Sequence, residues 1–299
     1  MSIDRRSFIR LVGAGAVGLV AGKAQAAHDE GSASSQDSQG VLVDTTQCIA
    51  CRKCEAGCNK ANSLSAHDAA FFEDKSVLLH HRRPVADAFT VVNQIHPVPG
   101  DDAQVNAKVQ CMHCIDPACA SACIVGALRK DARGPVTYDA WKCIGCRYCM
   151  VACPFQIPAY EYSDALAPRV RKCTFCFERT IEQGKRPACV EACPNESLTF
   201  AKRGELLELA HQKIASKPER YTDHVYGEKE AGGTSWLYLA KIDFTKLDLP
   251  ALGERPMPAL TETIQHNVFK GFVPPLALYG LLGLIYLSRR GDTKGDSHE

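Results

Sequence analysis

Sixteen cysteines, all between positions 48 and 193 of a 299-residue chain, sort without remainder into four groups of four. The first group is Cys48-x2-Cys51-x2-Cys54-x3-Cys58. The third is Cys143-x2-Cys146-x2-Cys149-x3-Cys153, followed by Pro154. The second, Cys111-x2-Cys114-x4-Cys119-x3-Cys123, and the fourth, Cys173-x2-Cys176-x12-Cys189-x3-Cys193-Pro194, carry longer gaps between their middle cysteines. A chain of this length is not a disulfide-stapled mini-protein, and thiols this clustered are not incidental core residues.

The spacing of the first and third groups is that of bacterial ferredoxins. Three thiolates within seven residues let one tight loop wrap three corners of an iron–sulfur cube, with loop N–H groups turned toward the sulfurs. The fourth cysteine lies on the following helix, turned away, and ligates a partner cluster. Zinc favours separated C-x2-C pairs closing one tetrahedron, which leaves the third cysteine of such a run without a place. Disulfides would need sixteen thiols to reach cluster spacing by chance. Groups two and three are adjacent and predict one contiguous module. Group one then pairs across it with group four, so the flanking strands at 41–47 and 197–202 are expected to meet.

Charge is balanced, with 35 basic and 34 acidic residues, and exerts no overall pull toward nucleic acid. No H-E-x-x-H, G-x-G-x-x-G, Walker or G-x-S-x-G motif stands out. With every cysteine assigned to a cluster, none remains for a nickel–iron or molybdenum centre. The chain is expected to be non-catalytic.

The ends read as targeting segments. Residues 1–26 carry Arg5-Arg6-Ser7-Phe8, an uncharged run and Ala24-Gln25-Ala26, the plan of a signal peptide. The arginine pair resembles a twin-arginine (Tat) signal, a route that exports folded cofactor proteins. Residues 27–40 form a polar linker. Near the other end, Gly271 to Leu287 carries no charge and Arg289-Arg290 follow, so 268–290 is expected to be a single membrane anchor with a basic stop. That places the body of the chain on the periplasmic face of the cytoplasmic membrane.

Between the ends, 41–242 is expected to form an α+β domain of two pseudo-twofold 2[4Fe–4S] modules with short hairpins and small helices. Strands are predicted at 41–47, 89–95, 197–202 and 234–242, and a hairpin over 127–139. A helix with Leu206, Leu207, Ala210 and Ile214 on one face is predicted over 205–214. Residues 243–267 read as a loose connector.

The four-group order resembles the four-cluster ferredoxin-type subunits of membrane-bound respiratory oxidoreductases, such as formate dehydrogenase, dimethyl sulfoxide reductase and polysulfide reductase. The segments 110–117, 145–154, 224–234 and 264–271 are most similar to the ferredoxin subunit of hydrogenase-2-type uptake hydrogenases. The resemblance implies four [4Fe–4S] clusters. Cys48, Cys51, Cys54 and Cys193 would hold cluster a; Cys173, Cys176, Cys189 and Cys58, cluster b. Cys111, Cys114, Cys119 and Cys153 would hold cluster c; Cys143, Cys146, Cys149 and Cys123, cluster d. It also implies an electron path between a periplasmic nickel–iron hydrogenase and a multi-spanning, quinone-reactive membrane subunit, in anaerobic respiration. Electron supply to a quinol-linked periplasmic reductase and a freestanding redox carrier are the alternatives.

Other polar residues lie beside these. His113, inside a cysteine loop, is more readily a packing residue than a ligand. Arg52, Lys53, Lys130, Lys142, Arg147, Arg169, Arg171 and Lys172 lie near cysteines, either offsetting cluster charge or forming a solvated basic face. His266 reads as a spacer near the membrane.

Overall fold

The computed structural model describes residues 35–65, 67–96, 104–259, 261–262 and 273–292. The signal peptide, most of the linker, His266 and residues 268–272 of the expected anchor lie outside the described residues.

Strand β1 (Gln39–Asp44) begins inside what reads as linker and is buried along almost its whole length. It ends in Asp44, whose carboxylate accepts from the Thr46 N–H and caps the short 3-10 turn Thr45–Gln47. That turn delivers Cys48. Helix α1 (Lys53–Asn62) carries Cys54 and Cys58 one turn apart. The short helix α2 (Ala69–Glu73) follows, and then strands β2 (Thr90–Ile95) and β3 (Val105–Gln110) form an antiparallel hairpin. β3 has no counterpart among the expected strands.

The second module follows. Helix α3 (Ala118–Ser121) leads to the antiparallel hairpin β4 (Leu128–Lys130) and β5 (Val136–Tyr138), where a hairpin is predicted. Helix α4 (Tyr148–Ala152) then packs on α3, and β6 (Ala159–Tyr160) pairs with β7 (Val170–Arg171).

The chain returns to the first module through helix α5 (Ala188–Glu191) and strand β8 (Leu198–Lys202). β8 pairs antiparallel with β1, from Gln39 opposite Lys202 to Val43 opposite Leu198. The flanking strands of groups one and four therefore meet, as the cysteine pairing requires. α1 lies directly on α5: a Cβ at Gly57 would come within 2.9 Å of the Ala188 carbonyl and the Ala192 side chain. Only glycine allows that approach.

Helix α6 (Arg203–Ser216) buries Leu206, Ala210 and Ile214 against the sheet, while Leu207 is only half-buried. Strand β9 (Trp236–Leu239) runs parallel to β1 and completes the sheet in the order β8-β1-β9. All four of its residues are buried, because the cysteine loops cover one face and α6 the other.

Two expectations are corrected. The start of the connector is not loose: Asp243 caps a 3-10 turn, Phe244–Leu247, and Phe244, Leu247 and Leu249 are buried in the main core. Apolar side chains spaced among prolines and polar residues hid this packing from a reading by composition. The expected membrane span is the second. Helix α7 (Val273–Asp292) forms, yet among the described residues no helix is long and apolar enough to cross a membrane. Pro274-Pro275 open it and Arg289-Arg290 close it, leaving about 18 Å of uninterrupted apolar helix against a hydrocarbon core of about 30 Å.

Candidate iron–sulfur centres

The cysteine loops repeat one backbone device. In every group the residue two places after the first cysteine has a left-handed backbone: Ala50 (φ 52°), His113 (φ 48°), Gly145 (φ 68°) and Phe175 (φ 60°). Three of these are not glycine, so the conformation carries strain of about 1–3 kcal/mol per residue and persists only where the surroundings enforce it. What it gains is a donor. The Ala50 and Gly145 amides hydrogen-bond to the Cys48 and Cys143 sulfurs, and Phe175 N–H reaches Cys173 Sγ at 3.4 Å. A second left-handed residue, Arg52 (φ 59°) or Arg147 (φ 61°), starts the helix that carries the third cysteine of groups one and three.

A matching turn follows the last cysteine of three groups. Gly126, Gln156 and Glu196, each three places beyond it, have φ of 61°, 52° and 49°. Ala127 N–H lies 3.1 Å from Cys123 Sγ, and the Ile157 amide donates to Cys153. Group one departs because α1 runs on past Cys58; there Asn62 Nδ2 sits 3.6 Å from Cys58 Sγ.

Thiols distant in sequence are brought near one another by the fold. A cavity in the first module is lined by Cys48, Cys51, Cys54 and Cys193, together with Val43, Val92, Leu198, Arg52 and Lys108. Burial pushes the Cys48 thiol up to about 11, and Cys193 and Cys51 are the thiols that add to the rise. Burial likewise raises Cys58, with Cys173, Cys189 and Cys176 adding to it. Burial raises Cys114, with contributions from Cys111, Cys153 and Cys119. Burial raises Cys149 to about 11, with Cys123, Cys143 and Cys146 beside it.

Thiols of neighbouring sets also act on one another electrostatically. Cys54 of the first set feels Cys189 of the second, Cys173 of the second feels Cys111 of the third, and Cys119 of the third feels Cys149 of the fourth. All sixteen cysteines are free. Among the described residues no three histidine, cysteine or acidic side chains converge as a single metal ion would need. Four sulfurs around a cavity, with amides aimed at them, fit a cubane core. Buried thiols held neutral by their surroundings are poor thiolates alone, and a cationic iron core compensates the charge that burial disfavours.

The basic residues divide. Lys53 and Arg169 are exposed, Lys142 pairs with Asp139 at 2.8 Å, and Arg171 with Glu161 at 2.7 Å. Arg147 lies over the Tyr160 ring, 5.2 Å from its centroid. Three others are structural. Arg52 is buried, bonded to Glu55 and to the carbonyls of Phe71 and Asp74. Lys172 is buried and donates to the carbonyls of Val136 (2.6 Å) and Cys173 (3.0 Å). Lys130 donates to the carbonyls of His113, Cys114 and Gly134, and burial lowers it to about 8. His113 is fully buried, and its Nδ1 accepts from the Val136 N–H at 2.9 Å. Burial, with Lys172 and Lys130 nearby, keeps the ring neutral.

Two features escaped the sequence reading. Segment 224–234 clamps the loop of the second group: Ile115 N–H donates to Gly233 O, and Cys114 bridges to Thr234. Lys108, three residues before Cys111, is buried and lines the first cavity. The period-two alternation of Val105-Asn-Ala-Lys-Val-Gln110 was the signal for its strand.

Residues 105–203 match the 4Fe-4S dicluster domain family. A protein of Nitratidesulfovibrio vulgaris Hildenborough is 50% identical over 263 residues, covering 87% of this chain and 70% of its own. Hydrogenase-2 operon protein HybA of Escherichia coli O157:H7 is 34% identical over 326 residues, covering 99% of this chain and 98% of its own. The iron-sulfur subunit of nitrate-inducible formate dehydrogenase of Escherichia coli K12 is 32% identical over 264 residues, covering 82% of each. With its sixteen cysteines in four sets, the chain thus belongs to the family of non-catalytic, ferredoxin-type electron-transfer subunits that includes HybA and the formate dehydrogenase iron–sulfur subunits, and it carries [4Fe–4S] clusters.

Proposed function

We propose that this chain conducts electrons through four [4Fe–4S] clusters between a nickel–iron uptake hydrogenase outside the cytoplasmic membrane and a quinone-reactive membrane subunit. The observation that carries the conducting role is the cavity that unites Cys48, Cys51 and Cys54 with the sequence-distant Cys193. The thiol neighbours described above support the ligand sets a to d, and the electrostatic influence of thiols in one set on those in the next supports the order a, b, c, d. The match to HybA along nearly the whole of both chains favours the hydrogenase partner.

One terminus of this order is built for contact. Cys146 of set d is exposed, and Trp141 (99% exposed), Ile144 (62%), Tyr148 and Val151 (81%) surround it in sequence. Apolar residues this exposed mark an interaction surface, and we assign it to a redox partner. Export is assigned to the Tat signal at Arg5-Arg6, and residence at the membrane to association with the quinone-reactive subunit.

The test is isolation of the complex under anaerobic conditions. The hydrogenase reading expects nickel–iron subunits to co-purify and hydrogen to reduce all four clusters. A complex whose clusters are reduced by formate and not by hydrogen replaces it with the second reading, to which the 32% identity to formate dehydrogenase subunits points. A chain that purifies alone, in full yield and fully loaded, overturns both.

A further inference from the structure

Lys108 is a buried cation without an anionic side-chain partner among the described carboxylates. Its Nζ donates to Thr90 Oγ1 at 2.7 Å and Gln110 Oε1 at 2.9 Å, both neutral acceptors. It lies 4.5 Å from the centroid of the Trp236 ring, which is itself buried. An isolated ammonium in such surroundings is costly and is expected to lose its proton. Here the opposite holds. Two neutral acceptors and the face of the Trp236 ring surround the ammonium and stabilise its charge, and the residue lines the cavity of set a.

Geometry explains the placement. β3 crosses the first module with alternate residues to either side. Asn106 donates to the Cys48 carbonyl at 2.7 Å, and Lys108 and its cross-strand partner Val92 line the cavity of set a. The same ammonium acts on Cys58 and Cys176 of set b. The lysine thus stands between the two cysteine sets of one module, on an insertion that supplies none of their ligands.

We propose that Lys108 is a potential-setting residue for clusters a and b, a fixed buried charge that favours their reduced state; this rests on the cluster assignment above. Reduction adds one electron, and so one negative charge, to a cluster; a cation held nearby in a low-dielectric interior stabilises that added charge. No proton or bond changes are involved.

The experiment is a redox titration of the anaerobically purified protein, followed by electron paramagnetic resonance, with iron and sulfide measured on each sample. Lys108→Met keeps the length of the side chain and removes the charge. Two of the four reduction steps are expected to become at least tenfold less favourable, a shift of 59 mV or more to lower potential for one electron. The other two are expected to stay in place. Lys108→Arg retains the charge and should keep all four near their wild-type positions. Should Lys108→Met fail to load iron, Thr90→Asp decides: a carboxylate beside the ammonium neutralises it and should lower the same two steps. Unchanged potentials in a fully loaded variant, or equal shifts of all four steps, overturn the proposal. A loss of thermal stability with unchanged potentials makes Lys108 merely structural. Loss of ligands instead would show as missing iron, which separates failure of this inference from failure of the cluster assignment.

Discussion

Removing the Glu55 carboxylate should loosen the first cysteine loop more than any neighbouring surface change. Glu55 is buried and accepts from Arg52 Nε (3.1 Å) and Nη2 (3.0 Å), from Arg82 Nη2 (2.7 Å) and from the Val92 N–H (2.7 Å). Arg52, only 1% exposed, sits between Cys51 and Cys54. Glu55→Ala strands that guanidinium, and breaking a buried ion pair from one side costs about 3–5 kcal/mol. For a domain of this size each kcal/mol moves the midpoint by about 2–4 °C, so apparent Tm should fall by about 6–20 °C. The assay is anaerobic thermal unfolding of the loaded protein, with iron release followed in parallel. Iron should leave first from cluster a. Adding Arg52→Met to Glu55→Ala should recover part of the loss, because the stranded charge goes too. A single variant within about 1 kcal/mol of wild type, by a shift of less than about 2 °C, would refute the reasoning.

Cys193→Ser should perturb the same cluster spectroscopically as Cys48→Ser, and Cys58→Ser should match Cys173→Ser; if Cys58→Ser instead matches Cys48→Ser, each motif closes its own cube and the two-module ligation is wrong. Loaded protein should contain about 16 iron and 16 sulfide per chain, as four cubanes require, and a count near half that with intact cysteines contradicts four clusters. Burial alone would raise the Asp44 carboxyl, but donors from Thr46, Tyr221 and Lys213 outweigh it and hold the group below its ordinary range. Its contribution to stability is therefore present above about pH 4 and lost as pH falls through the depressed value. Asp44→Ala should cost about 3 kcal/mol at pH 7 and flatten that acid limb, and an acid profile identical to wild type in a denaturant titration would remove Asp44 from the account.

Cluster chemistry was legible in the chain itself because ligand spacing is local: a loop of seven residues must wrap a cube wherever it sits. The hairpin over 128–138, helix α6 and the meeting of β1 with β8 were legible for related reasons, through turn residues, a helical apolar face and the demands of ferredoxin pairing. Burial of charge was not. Arg52 and Lys172 look in sequence like any basic residues beside cysteines, and only the packed structure shows them inside, tied to backbone carbonyls and, for Arg52, to Glu55. Lys108 sits on the polar side of an alternating strand, which by pattern alone belongs to water. Tertiary structure turns that side toward the sulfurs of the first module, because β2 packs on α1, β3 packs on the turn Thr45–Gln47, and the returning β9 brings Trp236 beneath the ammonium. The proposed order of the four cysteine sets likewise rests on the packed structure. Spacing along the chain marks which cysteines are cluster ligands, whereas which groups come near one another depends on which surfaces of the fold bury one another.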